Sequence, residues 1–237
     1  MRTRPADAAD ENETAGQEDY SETFHSFTSM NKELERYIER EIIPRYEDFD
    51  AAHRTDHVRT VIAQSLELAA HYDADADMVY AVAAYHDTGL ANGRERHHID
   101  AGRILAEDAE LRRRFTEEQI GIMREAVEDH RASSDHPPRT IYGRIVAEAD
   151  RVIDPATIVR RTVQYGLANY PALDREGHYA RCLAHLQKKY AEGGYLRLWI
   201  AESDNARRLE ELRAIIRDPQ RLRRLFDETF DAETAAE

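Results

Sequence analysis

His57, the pair His86-Asp87, His130 and Asp150 are the residues of this chain whose types and order suit metal chemistry. Imidazole nitrogen combined with carboxylate oxygen suits Mn, Fe, Co, Ni or Zn, whereas calcium prefers oxygen throughout. His86-Asp87 directly follows the apolar run Val79 to Tyr85. Burying both groups without a metal or polar partners is expensive. Asp150 closes the hydrophobic frame Ile145-Val146-Ala147-Glu148-Ala149. Taken alone, His57 is more often a surface or capping residue, and Asp150 a polar-face acid tolerated by arginine neighbours. Taken together, imidazoles and carboxylates facing inward from antiparallel helices are a standard way to build a metal site in an α-bundle.

The elements that carry these residues read as helices. Leu34, Ile38, Ile42 and Ile43 fall mostly at four-residue spacings until Pro44 ends or kinks the run. Residues 56–71 repeat the pattern, placing His57 near a helix start. Asp73 or Asp75 caps the next helix, which carries Met78 to Tyr85 down to His86-Asp87. Gly89 then offers a left-handed stop. A helix near residues 98–109 follows. Thr116 with Gln119 three positions on forms a capping box for a helix that ends at His130. Residues 132–138 are a loop by composition, and 139–152 are helix again, ending at Asp154-Pro155. Later helical patterns cover 156–168, 173–191, 202–217 and a short piece near 219–229. No segment combines β-branched residues with strict alternation, so no substantial sheet is expected.

Composition narrows the functions. With 237 residues and 41% hydrophobic content, the chain suits one generous core or two small ones. A formal charge of −14 repels phosphates over a broad surface, which argues against long nucleic acid as a partner. It does not exclude a small phosphorylated substrate, because a metal and nearby arginines reverse the local field. No run of about 18 apolar residues exists to span a bilayer, and no secretory signal opens the chain. The lone Cys182 fits a reducing cytoplasm. Residues 1–25 are acidic, with Asp7, Asp10, Glu11, Glu13, Glu18, Asp19 and Glu22 against Arg2 and Arg4. They read as a disordered tail. Residues 26–230 read as one all-helical domain with a C-terminal extension, and 231–237 as a second tail.

The ordered set His57, then His86-Asp87-Thr88-Gly89, then Asp150 in Ala149-Asp150-Arg151 resembles the HD-domain superfamily of metal-dependent phosphohydrolases. The resemblance covers about residues 50–155. It implies an all-α, single-domain helical bundle with the quartet gathered round a divalent metal. His130, in Glu128-Asp129-His130-Arg131, is similar to the extra histidine of dinuclear members. The segment His97-His98-Ile99-Asp100-Ala101-Gly102 resembles their second extra histidine. Neighbouring helical positions point about 100° apart, so one of His97 and His98 is expected to face the site. The sequence does not choose between them. The implied cofactor is one or two divalent ions (Mn, Fe, Co, Ni, Zn or Mg), with Asp87 as the bridge if there are two.

The chemistry itself favours hydrolysis. A metal lowers the pKa of bound water and draws charge off a phosphoryl oxygen. Arg54, Arg131 and Arg151 lie within three positions of proposed ligands and are candidate phosphate clamps, the alternative being surface ion pairs. Glu128, Asp129 and Glu148 are candidates to orient ligand imidazoles. The loop at 132–138 is expected at the pocket mouth, with Arg139 reaching inward or serving only as a rigid connection. His53 and His136 have no assigned role, and His25, His71, His178 and His185 read as surface or packing residues. Tyr142, Tyr165, Tyr170, Tyr179, Tyr190, Tyr195 and Trp199 read mainly as core and interface material. The expected function is hydrolysis of a small phosphorylated metabolite or nucleotide. A di-iron oxygenase of the same superfamily and a non-enzymatic metal-stabilised module stay open, as does a homo-oligomer.

Overall fold

The computed structural model describes residues 30–50 and 53–235; the acidic tail expected at 1–25 lies outside them. Among the described residues there are α-helices and short 3₁₀ turns, and no strand. Seven helices form a first group: α1 (Lys32–Glu41), α2 (Thr55–Ala69), α3 (Ala76–Tyr85), α4 (His97–Glu107), α5 (Ala109–Arg112), α6 (Glu117–Glu128) and α7 (Ile141–Ala149). Four more follow: α8 (Pro155–Asn169), α9 (Arg175–Lys189), α10 (Asn205–Arg217) and α11 (Pro219–Ala235). No helix among the described residues is long and apolar enough to cross a membrane.

Local chemistry explains most of the helix starts. Asn31 accepts from the Glu33 and Leu34 N–H groups, and Asp75 from those of Asp77 and Met78. The expected capping box between Thr116 and Gln119 is present in both directions. Asp154 caps α8, where Pro155 occupies a first-turn position that needs no N–H donor. The short helix α5 has no counterpart in the hydrophobic pattern. It exists because Asp108 ends α4 and caps α5, accepting from the Glu110 and Leu111 N–H groups.

The packing has a clear centre. Helix α3 is apolar on every side, and each residue from Met78 to Tyr85 is buried. The surrounding helices lay their apolar stripes on it, among them Leu34, Ile38, Val58, Val61, Leu105, Met123, Val127, Ile145 and Val146. A second apolar core, built from Ile153, Val159, Val163, Leu186, Leu212, Leu222 and Phe226, holds α8–α11 together. The last helix outlasts its expected end near 229 and runs to Ala235, replacing with helix most of the tail expected from 231. Its final turns are tied down: Arg175 pairs with Asp231, Gln164 donates to Glu233 at 2.9 Å, and Phe230 packs on Phe226.

Gly89 does not serve as a left-handed stop. The positive-φ glycines among the described residues are Gly93 and Gly193. A Cβ at Gly89 would lie 2.0 Å from the His97 carbonyl oxygen and 2.6 Å from the Ala101 nitrogen. The missing side chain lets the first turn of α4 approach the residues that follow Asp87. That approach carries His97 to the His86-Asp87 end of α3.

Candidate metal centre

Each sequence-predicted histidine except His98 arrives at one place by a distinct route. His57 sits in the first turn of α2, His86 and Asp87 follow α3, His97 opens α4, and His130 lies just past α6. Asp150 is the C-terminal cap of α7. Tyr46 fixes the α3 end from outside the expected set. Its hydroxyl donates to the Ala84 carbonyl at 2.9 Å and accepts from the Asp87 N–H at 3.3 Å. No signal in the sequence separates Tyr46 from an ordinary core tyrosine following Pro44.

The side chains form two adjoining clusters. In the first, His57 Nε2 lies 3.2 Å from Asp150 Oδ1 and 3.3 Å from His86 Nε2. Asp87 Oδ2 lies 3.6 Å from His57 Nε2 and 3.2 Å from His86 Nε2. In the second, His97 Nε2 and His130 Nε2 are 3.2 Å apart, and each is 3.5 Å from Asp87 Oδ1. Asp87 therefore turns one oxygen to each cluster. His57, His86, Asp87 and His130 are almost fully enclosed, while Asp150 and His97 keep some exposure.

Three of the rings are oriented by the same device. His86 Nδ1 donates to the Ala83 carbonyl at 2.7 Å, His97 Nδ1 to that of Arg94 at 2.8 Å, and His130 Nδ1 to that of Val127 at 2.7 Å. A carbonyl oxygen only accepts, so the proton must be on Nδ1 and Nε2 carries the lone pair of a neutral ring. Between His97 and His130 the Nε2–Nε2 contact then sets lone pair against lone pair, which a cation held between them relieves. The separations of 3.2–3.9 Å in the first cluster and 3.2–3.5 Å in the second suit a single ion in each. Metal bonds of about 2.0–2.2 Å give neighbouring donors roughly 3.0–3.5 Å apart. The donor set thus fits divalent metal on an observation of geometry.

Electrostatics agree with that fit. Burial works to raise Asp87, but His86, His130 and His57 outweigh it and hold the carboxyl well below the usual range. Asp150 is likewise pulled down to about 2 by His57 and His86 against the effect of burial. Burial lowers His57, yet Asp150 and Asp87 hold it up to about 9; His130 is raised against burial by Asp87. His97 falls to about 4 through burial and its neighbour His130.

Several expected residues stand elsewhere. His98 joins neither cluster; its Nδ1 is buried without a partner, and it lines a cavity of about 500 Å³ with Arg131, Ser133 and His136. The helical phase turns His97 inward and His98 away. Glu128 and Asp129 orient no imidazole: both are engaged by Arg139, with Asp129 accepting from its N–H at 2.7 Å and Glu128 from Nη2 at 2.8 Å. Arg139 is thereby committed to a structural clamp and does not reach inward. Glu148 is fully buried and also touches no ring. It accepts from the Trp199 N–H and the Ser203 hydroxyl at 2.6 Å each, and from Asn205 at 2.9 Å.

The arginines differ from one another. Arg54 is exposed at the start of α2, and Arg131 is half-buried with one donor on the Glu95 carbonyl. Arg151 is buried, with Nε on the Arg197 carbonyl and one terminal nitrogen lacking a partner. The aromatic residues divide as well: Tyr190 is buried, but Tyr165, Tyr170 and Tyr195 are among the exposed large hydrophobics.

The sequence model of one family, the HD domain, matches residues 54–153. No curated protein and no solved structure matches the chain. The matched span begins at the N-cap of α2 and ends just past Asp150, so it encloses both side-chain clusters and leaves α8–α11 outside. Over residues 54–153 the chain is thus similar to the HD domain.

Proposed function

We propose that the chain is a phosphohydrolase or phosphodiesterase for small phosphorylated molecules, using two divalent cations. His57, His86, Asp150 and Asp87 Oδ2 would hold one ion; His97, His130 and Asp87 Oδ1 would hold the other. The division of the Asp87 oxygens between two imidazole sets carries this reading. Bound there, such ions supply Lewis acidity toward phosphoryl oxygens and a supply of hydroxide near neutral pH.

The chain's own groups would do the rest. Four neutral imidazoles and two carboxylates leave two divalent charges incompletely neutralised, which favours an anionic substrate. The carbonyl-held rings keep their Nε2 atoms aimed without rearrangement, so little is lost in ordering the site. Arg131, next to His130 in sequence and lining the 500 Å³ cavity, would hold a phosphate through its second terminal nitrogen. Arg54 and Arg151 are further clamp candidates.

The test is metal analysis of purified protein, followed by a panel of phosphate esters, diesters and nucleotides with Mn, Co, Ni, Zn, Mg and Fe. Two ions per chain and metal-dependent release of phosphate or of a nucleoside product are expected. One ion per chain would remove the dinuclear arrangement. Iron-dependent oxygen uptake without any phosphate release would overturn hydrolysis in favour of the superfamily's oxygenase chemistry.

A further inference from the structure

Helices α8 and α9, beyond the matched segment, hold a cavity of about 440 Å³. That volume lies within the range of small-molecule sites, roughly 300–1,000 Å³. Arg161, Arg181, His185 and Lys189 line it, and no acidic residue does. The chain as a whole has 47 acids to 33 lysines and arginines, so chance alone does not favour such a lining. Several other cations of this half are paired, among them Arg175 with Asp231, Arg217 with Glu192, and Arg223 with Glu176. Among the described residues, no carboxylate lies within ion-pair distance of Arg161, Arg181 or Lys189.

These cations are also poorly compensated. Arg181 stacks over Tyr165 and Tyr170 and donates to the Thr162 carbonyl, but its Nε is buried without a partner. The Lys189 ammonium lies 5.0 Å from the centre of the Tyr190 ring. Burial pushes that ammonium down from its ordinary value, and Arg151 and Arg161 push the same way against Tyr195 and Asp150. His185 is lowered by burial and then by Lys189 and Arg181. Arg181 and Lys189 are half-buried and Arg161 and His185 exposed, so an anion arriving from solvent would relieve the crowding of like charge.

We propose that the α8–α9 pocket is a binding site for the phosphate groups of a small phosphorylated molecule. Arg161 and Lys189 hold the anion, and Ile158 and Tyr190 wall its apolar part. The pocket adjoins the Asp150 end of the metal centre, since Val152 lines it and the charge of Asp150 reaches both Lys189 and Tyr190. It does not depend on the metals for its charge, so it binds anions whether or not the centre hydrolyses them.

Inorganic pyrophosphate is the probe, titrated calorimetrically and by thermal shift into the full-length chain as purified. Binding is expected in the wild type and in Asp87→Ala, which removes the bridging carboxylate. Lys189→Met should weaken binding by about 10–100-fold, the loss of one charged hydrogen bond. Its unliganded melting temperature should equal or exceed that of the wild type, because an uncompensated charge has gone. Arg161 is exposed, so Arg161→Glu should fold normally and bind at least as weakly as Lys189→Met. Equal affinity in the wild type and both pocket variants would overturn the proposal. So would absence of pyrophosphate binding, or binding lost in Asp87→Ala alone, which would place the anion on the metals. A lower melting temperature in Lys189→Met with unchanged affinity would mark the lysine as structural and overturn it too.

Discussion

The α2–α7 bundle and the α8–α11 group bury polar side chains in opposite ways. In the bundle, three ligand-candidate rings rest on main-chain carbonyls, Asp129 is closed by Arg139, and Asp108 by Tyr37 and Tyr85. In the second group, the cations that line the α8–α9 pocket collect without acids, although other arginines of the group are paired. Of the seven buried side-chain polar atoms without a partner among the described residues, five lie at or beyond residue 151. Buried polar atoms are ordinarily satisfied, so each exception asks what completes it. In the bundle the unpartnered atoms are Ser65 Oγ and His98 Nδ1. The second group leaves donors and positive charge free, as a pocket for anions requires.

The most severe way to test the bundle's half of this contrast is Asp87→Ala. Metal content should fall to trace and turnover to background, while circular dichroism stays helical. Arg131→Ala should retain its metals and lose about 10–100-fold in turnover, as for one charged hydrogen bond. Full metal occupancy with near-normal turnover in Asp87→Ala would remove the bridging role altogether. His98→Ala is the companion measurement: its metal content should match the wild type, since His98 Nδ1 points to no partner and the ring joins neither cluster.

The seam between the two regions should be the next most sensitive place. Glu148 lies two residues before Asp150, yet its carboxylate bonds go to residues 199–205. Glu148→Ala leaves the half-buried donors of Trp199 and Ser203 without an acceptor, while Asn205 keeps its bond to the main-chain carbonyl of residue 148. The expected cost is about 2–4 kcal/mol, read as a lower denaturation midpoint at unchanged slope. Because Glu148 touches no imidazole, metal stoichiometry should survive. If the variant loses metal before it loses stability, the seam and the centre are one unit, and the contrast drawn here is too sharp.

How far the sequence reveals this arrangement depends on the range of the physics involved. The ligand types and their order are local facts, and His57, His86, Asp87, His130 and Asp150 were legible from residue type and helix position. The Thr116–Gln119 box was legible for the same reason. The choice between His97 and His98 needed the rotational phase of α4, which a one-residue shift reverses. Gly89 reads as a turn glycine because sequence does not distinguish a positive φ from a close approach. The partners of Glu148 lie 51–57 positions away, and the grip of Arg139 on Asp129 spans a loop. Such contacts are fixed by packing alone. The α8–α9 pocket was invisible because its cations are scattered along two amphipathic helices whose surface charge looks ordinary.

The smallest effect expected tests whether the bundle's polar network is as self-sufficient as the contrast requires. Asp108 accepts from Tyr37 at 2.6 Å and Tyr85 at 2.7 Å while capping α5. Burial acts to raise Asp108, but the two hydroxyls and the helix N–H groups prevail and leave it lowered. A carboxyl whose folded pKa lies below its unfolded value contributes stability above the unfolded pKa, about 3.9. That contribution is lost as pH falls through the folded value. The tyrosines give the opposite limb. Burial and Asp108 push Tyr37 up to about 12 and raise Tyr85 further, so their contribution is present below about 10. It fades as pH climbs through the folded values. Asp108→Asn should therefore lower stability at neutral pH and flatten the loss below pH 4. The alkaline limb should flatten too, because the charge that resists ionisation of both phenols is gone. Urea midpoints measured from pH 3 to 11 would show both changes. An unchanged acid limb would mean that Asp108 serves only as a helix cap, and that the bundle's network is less closed than its hydrogen bonds indicate.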